Sequence, residues 1–265
     1  MKVRGLYTIL FFILLLMACE EGTNLPLKSE DTHLIAVEGM LTNENINHRV
    51  KLTHPHKTQN ETPEPVTGTL VTIADDATVY PLTEYPAGSG EYYTPVLRAV
   101  TGKVYTLHIL YNEHEYTAQD SAVPVEALQA IQYKAVNDQF ELVFNSSGQS
   151  PNYIEHAISW LNTTACTGSD CAGELIYYDL KTIDVNELYK PDKEDFYFPA
   201  GATIIRKKYS ISVAYREFLR SMLSETEWRG GIFDVQRDNA TTNLSAGAVG
   251  FFAVSTVVSD TTVVK

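Results

Sequence analysis

The sequence predicts a mainly β protein: an N-terminal antiparallel sandwich of the Ig-like or transthyretin-like type, followed by a second β-rich domain that carries one amphipathic helix. From Leu34 onward, short runs rich in β-branched and aromatic residues alternate with turn residues, and no helical pattern separates them. Apolar residues also recur at every second position within 71–73 and 105–109, as a half-buried strand requires. Antiparallel strands with short connections favour a sandwich.

The strand runs of the sandwich are bounded by Pro, Gly, Asn and Asp, the residues that form turns. These runs are 34–41, 49–53, 66–75, 78–84, 90–96 and 102–111. The pattern is lost after Tyr116, and Pro124 follows soon afterwards. We therefore predict a domain boundary near residue 122, with a sandwich at 32–122 and a second domain at 123–265.

The second domain is predicted to contain further strands and one helix. The strands are expected at 139–144, 153–161, 174–180 and 202–209. Ser212 is a suitable N-cap for a helix near 212–229, and Gly230 and Gly231 would end it. Its apolar stripe is typical of a helix that packs on a sheet, and consists of Tyr215, Phe218, Leu219, Met222 and Leu223.

Residues 1–18 have the form of a lipoprotein signal peptide. A basic start precedes an apolar run from Leu6 to Ala18, which is shorter than the roughly 20 residues that span a bilayer. Residues 16–19 then match a lipobox, which predicts that Cys19 carries a lipid anchor. The alternative is an ordinary cleaved signal followed by an incidental cysteine. Residues 19–31 are polar and without period, so we expect a flexible tether.

The charge of the chain argues against a nucleic-acid partner. The formal net charge is −13, and removal of residues 1–18 takes away Lys2 and Arg4 to leave −15. No basic stripe is present to neutralise phosphates. We expect the membrane, through the lipid, to be the first partner.

Cys166 and Cys171 remain as a closely spaced pair after Cys19 is assigned to the lipid. In an oxidising compartment such a pair, with Gly168 between, indicates a small disulfide loop. A metal or redox site is the alternative, although a zinc site would need two further ligands with similar spacing.

The motifs that mark common enzymes are missing from the sequence. It has no Gly-x-Ser-x-Gly elbow, no phosphate-binding glycine loop and no His-Glu-x-x-His helix. We therefore expect a non-catalytic protein without a cofactor. His54 and His56 are a weak candidate metal pair, which Glu113 or Glu115 could complete, but the spacing fits no standard site.

Tyrosine is abundant, with 16 residues against 2 tryptophans. Aromatic side chains beside polar groups suit a binding surface, whereas tyrosines that fill strand faces are the plainer explanation. The weak candidates for ligand binding are Tyr177, Tyr178, Tyr189 and Tyr197.

Several segments together resemble a known family. They are the lipobox, 37–44 (VEGMLTNE), the hairpin pattern from 65 to 118, 230–234 (GGIFD) and 243–255 (NLSAGAVGFFAVS). The chain resembles the Bacteroidota outer-membrane lipoprotein family known as domain of unknown function 4249, over nearly all of its mature length. Glu20 and Glu21 after Cys19 also resemble the Bacteroidota signal for export to the cell surface.

The family resemblance implies a functional context but no catalytic residues. Members of the family look like genomic neighbours of SusC-type TonB-dependent receptors. The resemblance therefore implies a surface-exposed accessory lipoprotein of a nutrient uptake system, with a β-barrel receptor as its partner. Two other functions stay open: an adhesin-like structural sandwich without a transporter, and a surface glycan or peptide hydrolase. The cargo cannot be predicted from the residues.

Overall fold

Strands dominate the described part of the chain. A computed structural model describes residues 34–55, 61–144, 148–168, 171–181, 195–226 and 240–265. The predicted signal peptide, the tether and Cys19 lie outside the described residues. The strands are β1 (Ile35–Thr42), β2 (Arg49–Thr53), β3 (Leu70–Ala74), β4 (Val79–Pro81), β5 (Thr83–Glu84), β6 (Glu91–Tyr93), β7 (Val104–Tyr111), β8 (His114–Ser121), β9 (Tyr133–Val136), β10 (Gln139–Leu142), β11 (Asn152–Ser159), β12 (Ala172–Asp179), β13 (Thr203–Ser210), β14 (Ala248–Ser255) and β15 (Val257–Val263).

The first two sheets form the sandwich. One has the strand order β14-β1-β2-β6-β5 and the other β4-β3-β7-β8. Their facing side chains make one continuous core, because apolar residues alternate along the strands and point inward from both sheets. The largest members of this core that are fully buried include Ile35, Leu52, Tyr92, Leu107 and Phe252. The prediction of a mainly β protein is confirmed, while the Ig-like or transthyretin-like type stays a prediction.

One strand of this sandwich comes from the C-terminal part of the chain. β14 pairs with β1 in parallel, in the register Ile35 to Ala248 and Thr42 to Ser255. The boundary predicted near residue 122 falls between β8 and β9, so β14 returns across it to complete the first core. The chain from His33 to Lys265 accordingly forms one compact unit.

The remaining strands form two smaller sheets. We call the sheet with the order β12-β11-β13-β15 the C-terminal sheet, and β9 pairs with β10 in a two-stranded sheet. One face of the C-terminal sheet, the helix face, contributes Tyr153 and Tyr209 to a core with the helix. The other, the pocket face, packs Ile158 and Ile204 against Leu142 of β10. Because successive residues of a strand point to opposite faces, the two faces carry different chemistry.

The helix α1 (Val213–Thr226) lies where the sequence predicts it. Ser212 is its N-cap, since its Oγ accepts a hydrogen bond from the Tyr215 N–H at 3.0 Å. The stripe residues Leu219 and Leu223 are buried, and Tyr215 and Phe218 contact Phe251 of β14. Phe252 belongs to the sandwich core, so Phe251 and Phe252 point to opposite faces of β14. In the part of the chain that the structure describes, no helix has the length and apolar character to cross a membrane.

Candidate functional site

A cavity of about 190 Å³ lies on the pocket face of the C-terminal sheet. We call it the basic pocket. Its floor is formed by side chains of β11, β12 and β13, and its rim by exposed residues that precede β9. It is lined by Leu128, Gln129, Ala130, Ile131, Gln132, Leu142, Val143, Phe144, Ile154, His156, Tyr177, Arg206 and Lys208.

Arg206 is the first of two buried cations in the floor. It lies opposite His156 on β11 and Asp260 on β15, in the registers that pair these strands. Its Nε donates a hydrogen bond to Asp260 Oδ1 at 2.9 Å, and its Nη2 donates to Asp260 Oδ2 and to the Gln129 carbonyl. This bidentate arrangement fixes the plane of the guanidinium group. The Gln129 contact also ties the rim to the floor.

Lys208 is the second cation, two residues further along β13 and opposite Ile154. Its side chain is only 5% exposed, yet the nearest acidic oxygen, Glu126 Oε2, is 3.8 Å from its Nζ. That distance is too long for a hydrogen bond. The Glu126 carboxylate is held by the N–H groups of Gln149 at 2.9 Å and Ser150 at 3.1 Å, and these hydrogen bonds lower the pKa of Glu126.

His156 is the third polar group of the floor. Its pKa is lowered to about 4, chiefly by burial and also by the positive charge of Arg206, against a backbone hydrogen bond to Leu175 that raises it. The imidazole is therefore neutral at pH 7. Its Nδ1 is buried and has no hydrogen-bond partner among the described residues.

An aromatic wall closes one side of the pocket. The ring of Phe144 stacks on Tyr177 with centroids 5.0 Å apart, and its edge meets His156 at 5.4 Å. Together with the aliphatic side chains of the lining, this wall gives the pocket an apolar half beside its polar floor. A lining with an apolar half and a few convergent polar groups is typical of sites for small amphipathic molecules.

The candidate tyrosines do not come together at one site. Tyr177 lines the basic pocket, whereas Tyr178 lies on the helix face, where its ring is 5.8 Å from that of Tyr153. Tyr197 is half-buried and hydrogen-bonded to Asp195. Burial is the main cause that raises its pKa, and the hydrogen bond to Asp195 is the second. Tyr189 lies outside the described residues. Tyr177 is thus the one of the four that the structure brings to the pocket, within the ranges described.

The cysteine pair and the histidine pair have separate roles in the structure. Cys166 and Cys171 are joined by a disulfide, with their Cα atoms 5.5 Å apart. His54 Nδ1 is 3.4 Å from the Leu34 carbonyl oxygen, and its Nε2 is 3.3 Å from the Tyr111 hydroxyl. His56 is outside the described residues. Across the described ranges, no group of three or more His, Cys, Asp or Glu side chains could hold a metal ion.

Sequence reasoning missed the polar floor of the pocket. His156, Arg206 and Lys208 were not among the candidates, nor was Phe144. One signal could have found part of it: residues 206–208 are Arg-Lys-Lys in the middle of a predicted strand, within a chain that has 33 acidic and 20 basic residues. A basic cluster in a strand places at least one cation on each face.

Comparison with known proteins identifies the family. The model of a family described as Domain of unknown function (DUF4249) matches residues 20–261. No curated protein matches the chain. The family match covers both sheets of the sandwich, the helix and all of the C-terminal sheet except the last two residues of β15, and so includes every residue that lines the basic pocket. The chain belongs to the DUF4249 family.

Proposed function

We propose that this protein is a surface-exposed outer-membrane lipoprotein that acts as a non-catalytic binding component of a TonB-dependent nutrient uptake system. The observation that carries the binding role is the basic pocket. Its lining offers buried hydrogen-bond donors and apolar walls, and none of its described lining residues is Ser, Thr, Cys, Asp or Glu. Hydroxyl and thiol nucleophiles of the Ser, Thr and Cys type, and paired carboxylates, are thus not part of this lining.

The anchoring part of the proposal rests on the N-terminal sequence. The lipobox ends at Cys19, and the family match begins at the next residue. A lipid on Cys19, with the polar tether behind it, would hold the body close to a membrane partner. Tethering raises the effective concentration of the body at that partner, so a weak docking contact would suffice.

The uptake context rests on the resemblance described above and defines the partner to test. The protein would be purified in mild detergent from the outer membranes of the native cells, with an affinity tag at its C-terminus. We expect a large β-barrel receptor to co-purify in a stoichiometric amount. If the tagged protein is purified and no such receptor accompanies it, the adhesin-like alternative is favoured instead.

The anchor has its own control. The variant Cys19→Ala should leave the chain outside the membrane fraction, because the thioether to the lipid cannot form. Mass spectrometry of the unsubstituted protein should show acyl chains on Cys19. An unmodified Cys19 in membrane-derived protein would contradict the anchor, whatever the result for the receptor.

A further inference from the structure

The two cations of the basic pocket have hydrogen-bond donors left over. Arg206 and Lys208 are 6% and 4% exposed, so most of each side chain is out of contact with water, and their remaining donors are reached through the pocket. Arg206 uses Nε and Nη2, while its Nη1 has no partner among the described residues. The Lys208 ammonium likewise makes no hydrogen bond within those ranges. Buried charged groups are normally paired and hydrogen-bonded, because leaving their donors unmatched is costly.

The acids that balance these cations stand outside the pocket. Asp260 contacts Arg206, and Glu126 approaches Lys208, but neither carboxylate is part of the lining. Each acid thus offsets the cost of burying the cation and restricts its position, while the remaining donors are left for a ligand. Arg206 and Lys208 are two residues apart on one face of β13, and donors of two such cations suit a carboxylate, which can accept several hydrogen bonds at once.

The size and walls of the pocket restrict the rest of the ligand. A volume of about 190 Å³ is smaller than the roughly 300–1,000 Å³ of sites for drug-sized molecules. It is comparable to an engineered cavity of roughly 150 Å³ that accepts benzene. About half of the lining surface is apolar, so an inorganic anion would leave that half without a matching partner. The apolar wall residues are Leu128, Ile131, Leu142, Phe144, Ile154 and Tyr177.

We infer that the basic pocket binds a small organic carboxylate that carries one ring or one branched aliphatic chain. The carboxylate takes the free donors of Lys208 and Arg206, and the apolar part lies against the Phe144 and Tyr177 wall. The neutral His156 ring presents its unpartnered Nδ1 as an acceptor for an N–H or O–H group of the ligand, because the other ring nitrogen is the one hydrogen-bonded to the Leu175 backbone. This inference rests on the proposed binding function and names the ligand class of that function.

Matched pairs of small probes test the charge requirement. The full-length protein in detergent at pH 7 would be titrated with benzoate and 4-methylpentanoate by ligand-observed NMR and calorimetry. The uncharged partners are benzamide and 4-methylpentanamide, with phosphate and glucose as further competitors. We expect each carboxylate to bind at least about tenfold more tightly than its amide, as the loss of a charged hydrogen bond implies. Equal binding of acid and amide, or displacement of benzoate by phosphate or glucose, would overturn the inference.

Two neighbouring lysines supply the matched variants. Lys208→Met should weaken benzoate binding about tenfold or more. Lys207→Met should not change it, because Lys207 is on the helix face of the same strand, where its Nζ is 2.7 Å from Glu44 Oε1. If Lys208→Met fails to fold, Ala130→Phe at the exposed rim should abolish binding by filling the pocket without altering a buried charge. Benzoate binding that survives Ala130→Phe unchanged would place the site elsewhere and contradict the inference.

The proposed uptake function and the proposed ligand class can be contradicted independently. Benzoate binding without a co-purifying receptor would leave the ligand class standing and remove the uptake context. A co-purifying receptor with no carboxylate binding would support the uptake context and remove the ligand class.

Discussion

The sandwich and the C-terminal sheet bury polar groups in opposite ways. In the sandwich, the polar atoms of large buried side chains have close partners: His48 Nε2 is 2.9 Å from the Leu97 carbonyl oxygen, and the Tyr92 hydroxyl donates to the Val66 carbonyl at 2.9 Å. At the pocket face, His156 Nδ1 and Glu126 Oε2 have no hydrogen-bond partner among the described residues, and Lys208 Nζ is 3.8 Å from Glu126 Oε2. Unsatisfied buried groups cost stability. The polar groups of the sandwich are therefore buried at little cost, whereas those of the pocket face lower the stability of the C-terminal sheet, at the place where we propose a binding site.

The strongest test of this comparison is the sandwich core itself. Phe252 is fully buried in β14, and Phe252→Ala should lower the free energy of unfolding by about 3–5 kcal/mol. Urea denaturation followed by circular dichroism would measure the loss. Val249→Ala, on the same strand at an exposed position, is the control and should cost less than about 1 kcal/mol. A small loss for Phe252→Ala would mean that β14 does not complete the first core.

The pairing of β14 with β1 depends on one glycine. Gly250 has a φ of +96°, and a Cβ at this position would overlap the Val37 carbonyl oxygen of β1. Gly250→Ala should therefore cost about 2–4 kcal/mol, from the unfavourable backbone region and from the overlap. Gly102 also has a positive φ, at +88°, but a Cβ there meets nothing within 4 Å. Gly102→Ala should cost only about 1 kcal/mol, and equal losses in the two variants would show that the strand contact is unimportant.

Local sequence patterns predicted some strands and the helix, but not how distant strands pair. Strands β3 and β7 were predictable because their apolar residues alternate, and α1 was predictable from its cap and stripe. The pairing of β14 with β1 joins residues more than 200 positions apart, and a local pattern carries no information about such a partner. Strands β9 and β15 escaped prediction because they are short or largely polar.

The basic pocket was hidden for a related reason. In β13 the apolar Ile205 is 46% exposed while the charged Arg206 and Lys208 are buried, which inverts the usual preference. Alternation in a strand shows that two faces exist, but not which of them the fold covers. Only the tertiary structure, which brings the segment 128–132 over this face, makes the cations a site.

Acidification should weaken the pocket face. The pKa of His156 is lowered from 6.5 to about 4, so between these values the unfolded chain takes up a proton that the folded chain does not. Stability is then lost as the pH falls from about 6.5 to about 4.5, by about 2 kcal/mol for this one group. The variant His156→Gln should lose less stability over the same range, as measured by urea denaturation at both pH values.

His48, in the sandwich, is the matched control for His156. Burial lowers the pKa of His48 as well, but backbone hydrogen bonds and the charge of Glu44 raise it, whereas at His156 the charge of Arg206 adds to the lowering. His48→Gln should therefore remove a smaller part of the pH dependence than His156→Gln. The opposite order would mean that the sandwich, rather than the pocket face, holds the more strongly depressed histidine.

The smallest effect is expected for a charge on the sandwich surface. Arg49 contacts Glu38 and Glu91 at 3.0 Å each, but its side chain is 43% exposed and that of Glu38 is 72% exposed. Water screens such pairs, so Arg49→Ala should lower the free energy of unfolding by less than about 1 kcal/mol, and less still in 1 M salt. Urea denaturation at low and high salt would measure both values. A loss above about 2 kcal/mol would mean that surface charges stabilise the sandwich as strongly as its dry core does. The sandwich and the pocket face would then no longer differ in how much they depend on charged groups.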